Sequence, residues 1–97
     1  MTETDVRDAL REVIDPELGI NIVDLGLVYG IDVASESVRI TMTMTTPACP
    51  LREYIQDLVE STVTSRLSDA RRVTVDIVSE PPWTEDMMSD AARQHLG

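Results

Sequence analysis

Apolar residues recur at helical spacing near the start of the chain, where Val6, Ala9, Leu10 and Val13 share one face of "TETDVRDALREVI". Thr2 or Thr4 is the candidate N-cap, and the early acids suit the positive end of a helix dipole. The pattern predicts a helix from about 3 to 14. It must stop before Pro16, because proline pushes Asp15 out of the helical region. "DPELGINIVDLG" then carries turn signals at Asp15-Pro16 and Gly19, followed by an apolar pair and Gly26, and reads as a structured loop. Next the period drops to two. Leu27, Tyr29, Ile31 and Val33 share a face, and after "ASES" so do Val38, Ile40, Met42 and Met44. Two strands and a short turn predict a hairpin, with Arg39, Thr41, Thr43 and Thr45 on a wet face.

Helical spacing returns in "PLREYIQDLVESTVTSRL", where Leu51, Ile55, Leu58, Val59, Thr62 and Val63 line up and Pro50 suits the first helical position. "RVTVDIV" alternates Val73, Val75 and Ile77 as a third strand, ended by Pro81-Pro82. "TEDMMSDAARQHLG" closes the chain as one short helix beginning near Thr84. The expected fold is a two-layer α+β arrangement in the order α-β-β-α-β-α. A small three-stranded mixed sheet would be covered on one face by helices. At 97 residues the chain is expected to form a single domain, 1–97, since a second core would starve both. With only Tyr29, Tyr54 and Trp83 as aromatics, the core must be aliphatic.

Charge narrows the partners. Eighteen acids against eight arginines, with no lysine, give a net charge of -10, which opposes binding to nucleic acid or anionic membranes. The missing lysine also removes a Schiff-base nucleophile and the lysine of a P-loop. No apolar run approaches the roughly 18 to 20 residues of a membrane span, and the acidic start is unlike a secretory signal, so a cytoplasmic protein is expected.

The one cysteine, Cys49, stands in "TTPACPL" between a strand pattern and a helix pattern. A helix N-terminus stabilises a thiolate, so the position suits a reactive thiol, although a lone cysteine also serves as a small buried hydrophobe. A thiol enzyme would need a base, and the one histidine, His95, is two residues from the end. A closed zinc site needs about four ligands, which one cysteine and one histidine do not supply. Asp15, Glu17 and Asp24 cluster in the loop before the hairpin, in a setting that also fits ordinary turn chemistry. Met42, Met44, Met87 and Met88 read as core filler. Trp83 is either a lid over the core edge or an anchor for a partner.

Three separated stretches, "DPELGINIVDLGLVYGI", "TTPACPL" and "PPWTEDMMSDAARQHLG", resemble in order and spacing the small iron–sulfur assembly family that includes the SufT and PaaD types and the eukaryotic cytosolic targeting factors. The resemblance spans nearly the whole chain. It implies a domain like the C-terminal scaffold domain of NifU and a non-catalytic role in assembling or delivering clusters. A thiol-dependent enzyme with Cys49 as nucleophile is the alternative. The matching site positions are Asp15 and Glu17, Asp24 and Gly26, Thr46, Cys49 as the metal ligand, and Trp83. The NifU-type scaffold holds its cluster with Cys-x-x-Cys, whereas "ACPL" offers one thiol. Iron or a cluster is therefore expected as a transient guest, with further ligands from a second copy, a scaffold or a client. A homodimer or partner complex is expected around Cys49 and "PPWTEDMM". The longer PaaD proteins carry a further cysteine-bearing segment, so general assembly or delivery is expected rather than phenylacetate oxygenase maturation.

Overall fold

The computed structural model describes residues 1–16, 18–45 and 52–96. Their order is α1 (Glu3–Leu10), β1 (Val28–Val33), β2 (Ser37–Met42), α2 (Arg52–Arg66), β3 (Arg72–Ile77), a 3₁₀ turn (Glu85–Met87) and α3 (Asp90–Leu96). This is the expected α-β-β-α-β-α succession, and its departures from expectation have local causes.

Thr2 caps α1. Its hydroxyl accepts from the Asp5 N–H at 3.2 Å while the Asp5 carboxylate accepts from the Thr2 N–H at 3.0 Å, so two otherwise unpaired donors are satisfied. Thr2→Ala is expected to lower stability by about 1 kcal/mol in urea denaturation. Helix α1 ends at Leu10, short of the predicted 14. Beyond it the Glu12 and Val13 N–H groups bond to the carbonyls of Ala9 and Leu10, three residues back, which tightens the chain while Val13 stays buried. Ile14 then bridges Asn21, and the Asp15 N–H donates to the Ile20 carbonyl at 2.9 Å. Loop pairing thus takes the backbone groups that a longer helix would have used. Ile20, Ile22 and Leu25 of this loop are buried, which is why it is ordered without being regular.

The sheet order is β1-β2-β3. Strands β1 and β2 form an antiparallel hairpin, and β2 pairs with β3 in parallel from Ser37↔Arg72 to Met42↔Ile77, with α2 as the crossover. The first strand does not keep its predicted alternation. A bulge lies between Val28, opposite Met42, and Gly30, opposite Thr41. Because paired residues share a side of the sheet, the extra residue shifts the phase: Val28, Ile31 and Val33 accompany Met42, Ile40 and Val38, while Tyr29 is released from the predicted set.

Helices α1 and α2 pack on each other, on β1 and on β3 respectively, and cover the face carrying Val38, Ile40, Met42 and Val75. Val6, Leu10, Val13, Ile55, Val59 and Val63 complete a core that is aliphatic, as the composition required. Glu12, in the turn just after α1, holds Arg66 of α2 in an ion pair that keeps the guanidinium above its usual pKa. The other face is wet over most of its length, with Arg39 and Asp76 paired across β2 and β3 at 2.6 Å. Side chains of α2 cover the outer edge of β3, where Gln56 donates to the Val75 carbonyl at 3.2 Å and Arg52 to that of Ile77 at 3.5 Å.

The predicted closing helix is two pieces. Between them Met88 is extended (φ -71°, ψ 146°) and buried, and the Ser89 N–H donates to the Asp24 carbonyl at 2.7 Å. Docking against the loop breaks the helix there. Ser89 then accepts from the Ala92 N–H at 3.2 Å, so it caps α3, whereas Thr84 makes no side-chain cap bond. No helix among the described residues is long and apolar enough to cross a membrane.

Candidate functional site

Parallel pairing brings the carboxyl ends of β2 and β3 to one end of the sheet, the place where open α/β sheets tend to bind ligands. The exit strands are anchored: the Thr43 N–H donates to the Leu27 carbonyl and the Val78 N–H to that of Met42, both at 2.8 Å. A cleft of about 220 Å³ opens beyond them. Thr43, Met44 and Thr45 form one wall, Ile77, Val78 and Ser79 a second, Arg52 stands at the start of α2, and Pro82 and Trp83 close the remaining side.

Trp83 is the lid that the sequence left undecided. It is half-buried against the core, and its indole N–H donates to the Leu25 carbonyl at 2.6 Å. The released Tyr29 donates its hydroxyl to the Pro81 carbonyl, also at 2.6 Å. Gly26 makes the third tie. It has φ +80°, and a Cβ there would lie 2.2 Å from the Met87 carbonyl oxygen, so only glycine lets the tail lie this close. The segment "PPWTEDMM", expected as a contact rim, therefore spends Trp83 and Met88 on its own core.

Cys49, Thr46 and Glu17 lie outside the described residues. In sequence, Cys49 falls between Thr45 and Arg52, both of which line the cleft. Asp15 and Asp24 are not among the described residues of its lining. Asp15 is buried, and its carboxylate accepts from the Leu18 N–H at 3.3 Å. Asp24 exchanges two hydrogen bonds with Asn21, at 2.7 and 2.9 Å, and its carbonyl holds the tail through Ser89. In both, the observed bonds are turn chemistry that shapes the loop. Among the described residues no three His, Cys, Asp or Glu side chains gather to hold a metal ion.

Sequence reasoning passed over Arg52, Ser79 and the special position of Thr43. Thr43 follows the last residue of β2 and was read as one more wet-face threonine, but it is 3% exposed. The signal was there in part, since a cation in the first turn after the cysteine stretch is unusual in so acidic a chain.

A family model described as "Iron-sulfur cluster assembly protein" matches residues 3–77. The chain belongs to this family. Its members include a maturation factor from Staphylococcus aureus, "Fe-S protein maturation auxiliary factor SufT", 49% identical over 86 residues that cover 88% of this chain and 97% of the relative. An "Fe-S protein maturation auxiliary factor" of Porphyromonas gingivalis is 42% identical over 97 residues, covering 99% of this chain and 91% of the relative. These names describe auxiliary factors, not catalysts. A crystal structure of a domain of unknown function from Bacillus anthracis shares the fold with a TM-score of 0.95 at 38% identity, covering 98% of this chain and 91% of that one. The family match ends at Ile77, so Trp83 and the tail close the cleft from beyond the matched region.

Proposed function

We propose that this protein is an auxiliary factor in iron–sulfur protein maturation that takes iron or a nascent cluster as transient cargo on the Cys49 thiolate, at the cleft beyond β2 and β3. Membership of the assembly family and the names of its relatives support the process. One observation carries the site: Thr45 and Arg52, which flank the cysteine stretch in sequence, line the same cleft.

A thiolate, not a thiol, is the metal ligand. The Arg52 guanidinium and the positive end of α2 both favour that form. In this reading Thr46 and the loop carrying Asp15, Glu17 and Asp24 orient the thiol. The names of the relatives, which are those of maturation auxiliary factors, favour this reading over a thiol-enzyme mechanism. One cysteine cannot meet the four-ligand requirement of a typical cluster, so the other ligands come from a scaffold, a client or a second copy, and the cargo leaves easily. The work is placed in the cytoplasm.

The test is anaerobic loading with ferrous iron and sulfide, followed by desalting and assay of iron and acid-labile sulfide per chain. Wild type is expected to retain both and Cys49→Ser neither. Equal metal in the two would remove the ligand role. Light scattering of the loaded sample is expected to show a dimer or larger complex at moderate salt, which screens repulsion between two chains of charge -10.

A further inference from the structure

We propose that the solvent face of α2 docks a basic amphipathic helix of a partner protein. This deepens the reading above and rests on it for what the partner exchanges, though not for the docking itself. The first observation is an aromatic ring left in water. Tyr29 and Trp83 are both tied to backbone carbonyls, whereas Tyr54, in the first turn of α2, is 54% exposed and with Ile14 makes up the exposed large apolar side chains among the described residues. Leu58 lies one turn further along the same side and is only partly buried, so the two form a short apolar strip. Exposed aromatic anchors of this kind are where binding energy concentrates.

The second observation is charge without a partner. Glu53, Asp57 and Glu60 fall together beside that strip, on the side of α2 opposite the buried Ile55, Val59 and Val63. The acids of the first helix are engaged within the chain: Glu3 pairs with Arg7 at 3.2 Å, Asp8 pairs with Arg11 at 2.7 Å, Asp5 closes the cap on Thr2, and Glu12 just beyond pairs with Arg66. Those three acids of α2 form no ion pair among the described residues. The two arginines of α2 are turned elsewhere, Arg52 to the Ile77 carbonyl and Arg66 to Glu12.

Charge selects the occupant. A second copy would set like charges opposite one another, and nucleic acid or an anionic membrane would meet the same repulsion. A helix with arginine or lysine at i, i+4 and i+7 matches the three acids in turn, and an apolar residue beside them meets Tyr54 and Leu58. The 15 residues of α2 give a face roughly 22 Å long and one helix wide, well below the roughly 800 Å² per partner of a stable complex. The contact is therefore brief, as delivery requires. Because α2 begins at Arg52, a partner held at Tyr54 is also close in sequence to Cys49.

The probe is a fluorescein-labelled, alanine-rich helical peptide as long as α2, with arginines at i, i+4 and i+7 flanked by leucines, and its control is a scrambled peptide of the same composition. Stopped-flow anisotropy separates the two observations, since exposed charges govern how fast partners meet and a buried anchor governs how long they stay. Neutralising the face with Glu53→Gln, Asp57→Asn and Glu60→Gln together is expected to slow association about tenfold. Glu36→Gln, Glu80→Gln and Glu85→Gln, exposed acids elsewhere whose loss changes net charge equally, should slow it by about twofold or less. Tyr54→Ala should speed dissociation several-fold with association little changed, and Tyr54→Phe should restore the slow dissociation. All these side chains except Glu60 are exposed, so urea midpoints should stay near that of wild type. No saturable binding, equal binding of the scrambled peptide, or equal slowing by the two triple variants overturns the proposal. Cys49→Ser is expected to bind the peptide as wild type does. If the peptide docks as expected but iron loading does not depend on Cys49, the cargo reading falls and the docking face stands. If loading depends on Cys49 and the peptide fails to dock, only this proposal falls.

Discussion

Replacing Gly26 by alanine is expected to destabilise the protein by about 3 kcal/mol and to free the tail from the loop. Two costs add. A left-handed residue with a Cβ costs roughly 1 to 2 kcal/mol, and the new methyl would lie 2.2 Å from the Met87 carbonyl oxygen and 2.7 Å from its carbon, well inside contact. Backbone cannot rotate aside like the end of a side chain, so the tail must lift. That limits the loss to the free energy of docking the tail, and it breaks the Ser89 bond to Asp24 and loosens the Trp83 bond to Leu25. Gly19→Ala is the matched control, because it has φ +69° with nothing within 4 Å of the added carbon. It should incur only the conformational part. Urea midpoints of the two variants, read with the emission maximum of Trp83, check this: Gly26→Ala shifts emission to the red before global unfolding and Gly19→Ala does not. Equal midpoints would show that the tail is not held at Gly26.

The second large effect belongs to Trp83. Trp83→Ala removes a half-buried ring from the core edge and the lid of the cleft together, and should lower stability by about 2 to 3 kcal/mol, somewhat less than for a fully buried ring. Trp83→Phe keeps most of the apolar cover and loses only the donor to Leu25, a bond of 2.6 Å, which should cost about 1 kcal/mol. Circular dichroism in urea measures both without the indole. The two variants also separate roles at the site, since Phe preserves a lid over the cleft and Ala does not. If Ala and Phe were equally stable, the indole N–H would account for the whole contribution and the ring for none.

How readable these features were depended on the range of the interactions behind them. The period-2 runs around Ile40 and Val75 and the helical spacing of Ile55, Val59 and Val63 set which faces are apolar, and the structure buries those faces. Periodicity is a local property, so it was legible. The bulge at Val28/Gly30 was not, because an unbroken alternation of Leu27, Tyr29, Ile31 and Val33 hides a phase shift that only pairing with β2 reveals. Likewise, "TEDMMSDAARQHLG" reads as one helix until the Asp24 carbonyl takes the Ser89 N–H and Met88 enters the core. The early end of α1 has the same kind of cause, in that Asn21 and Ile20 compete for the backbone of Ile14 and Asp15.

The site divides in the same way. Residue type and spacing alone picked out Cys49 as the candidate thiol, the glycine at position 26 and a family resemblance that the family match bears out. A sequence states which chemistry is present and in what order, and for one cysteine in an acidic chain that is a strong constraint. Thr43, Arg52, Ser79 and Trp83 are spread along the chain with no local pattern between them, and they line one cleft because parallel pairing of β2 and β3 sets two strand ends and a helix start side by side. Closure by Trp83 arises from a tail folding back on a loop, an event driven by tertiary contacts rather than by any propensity of the residues involved.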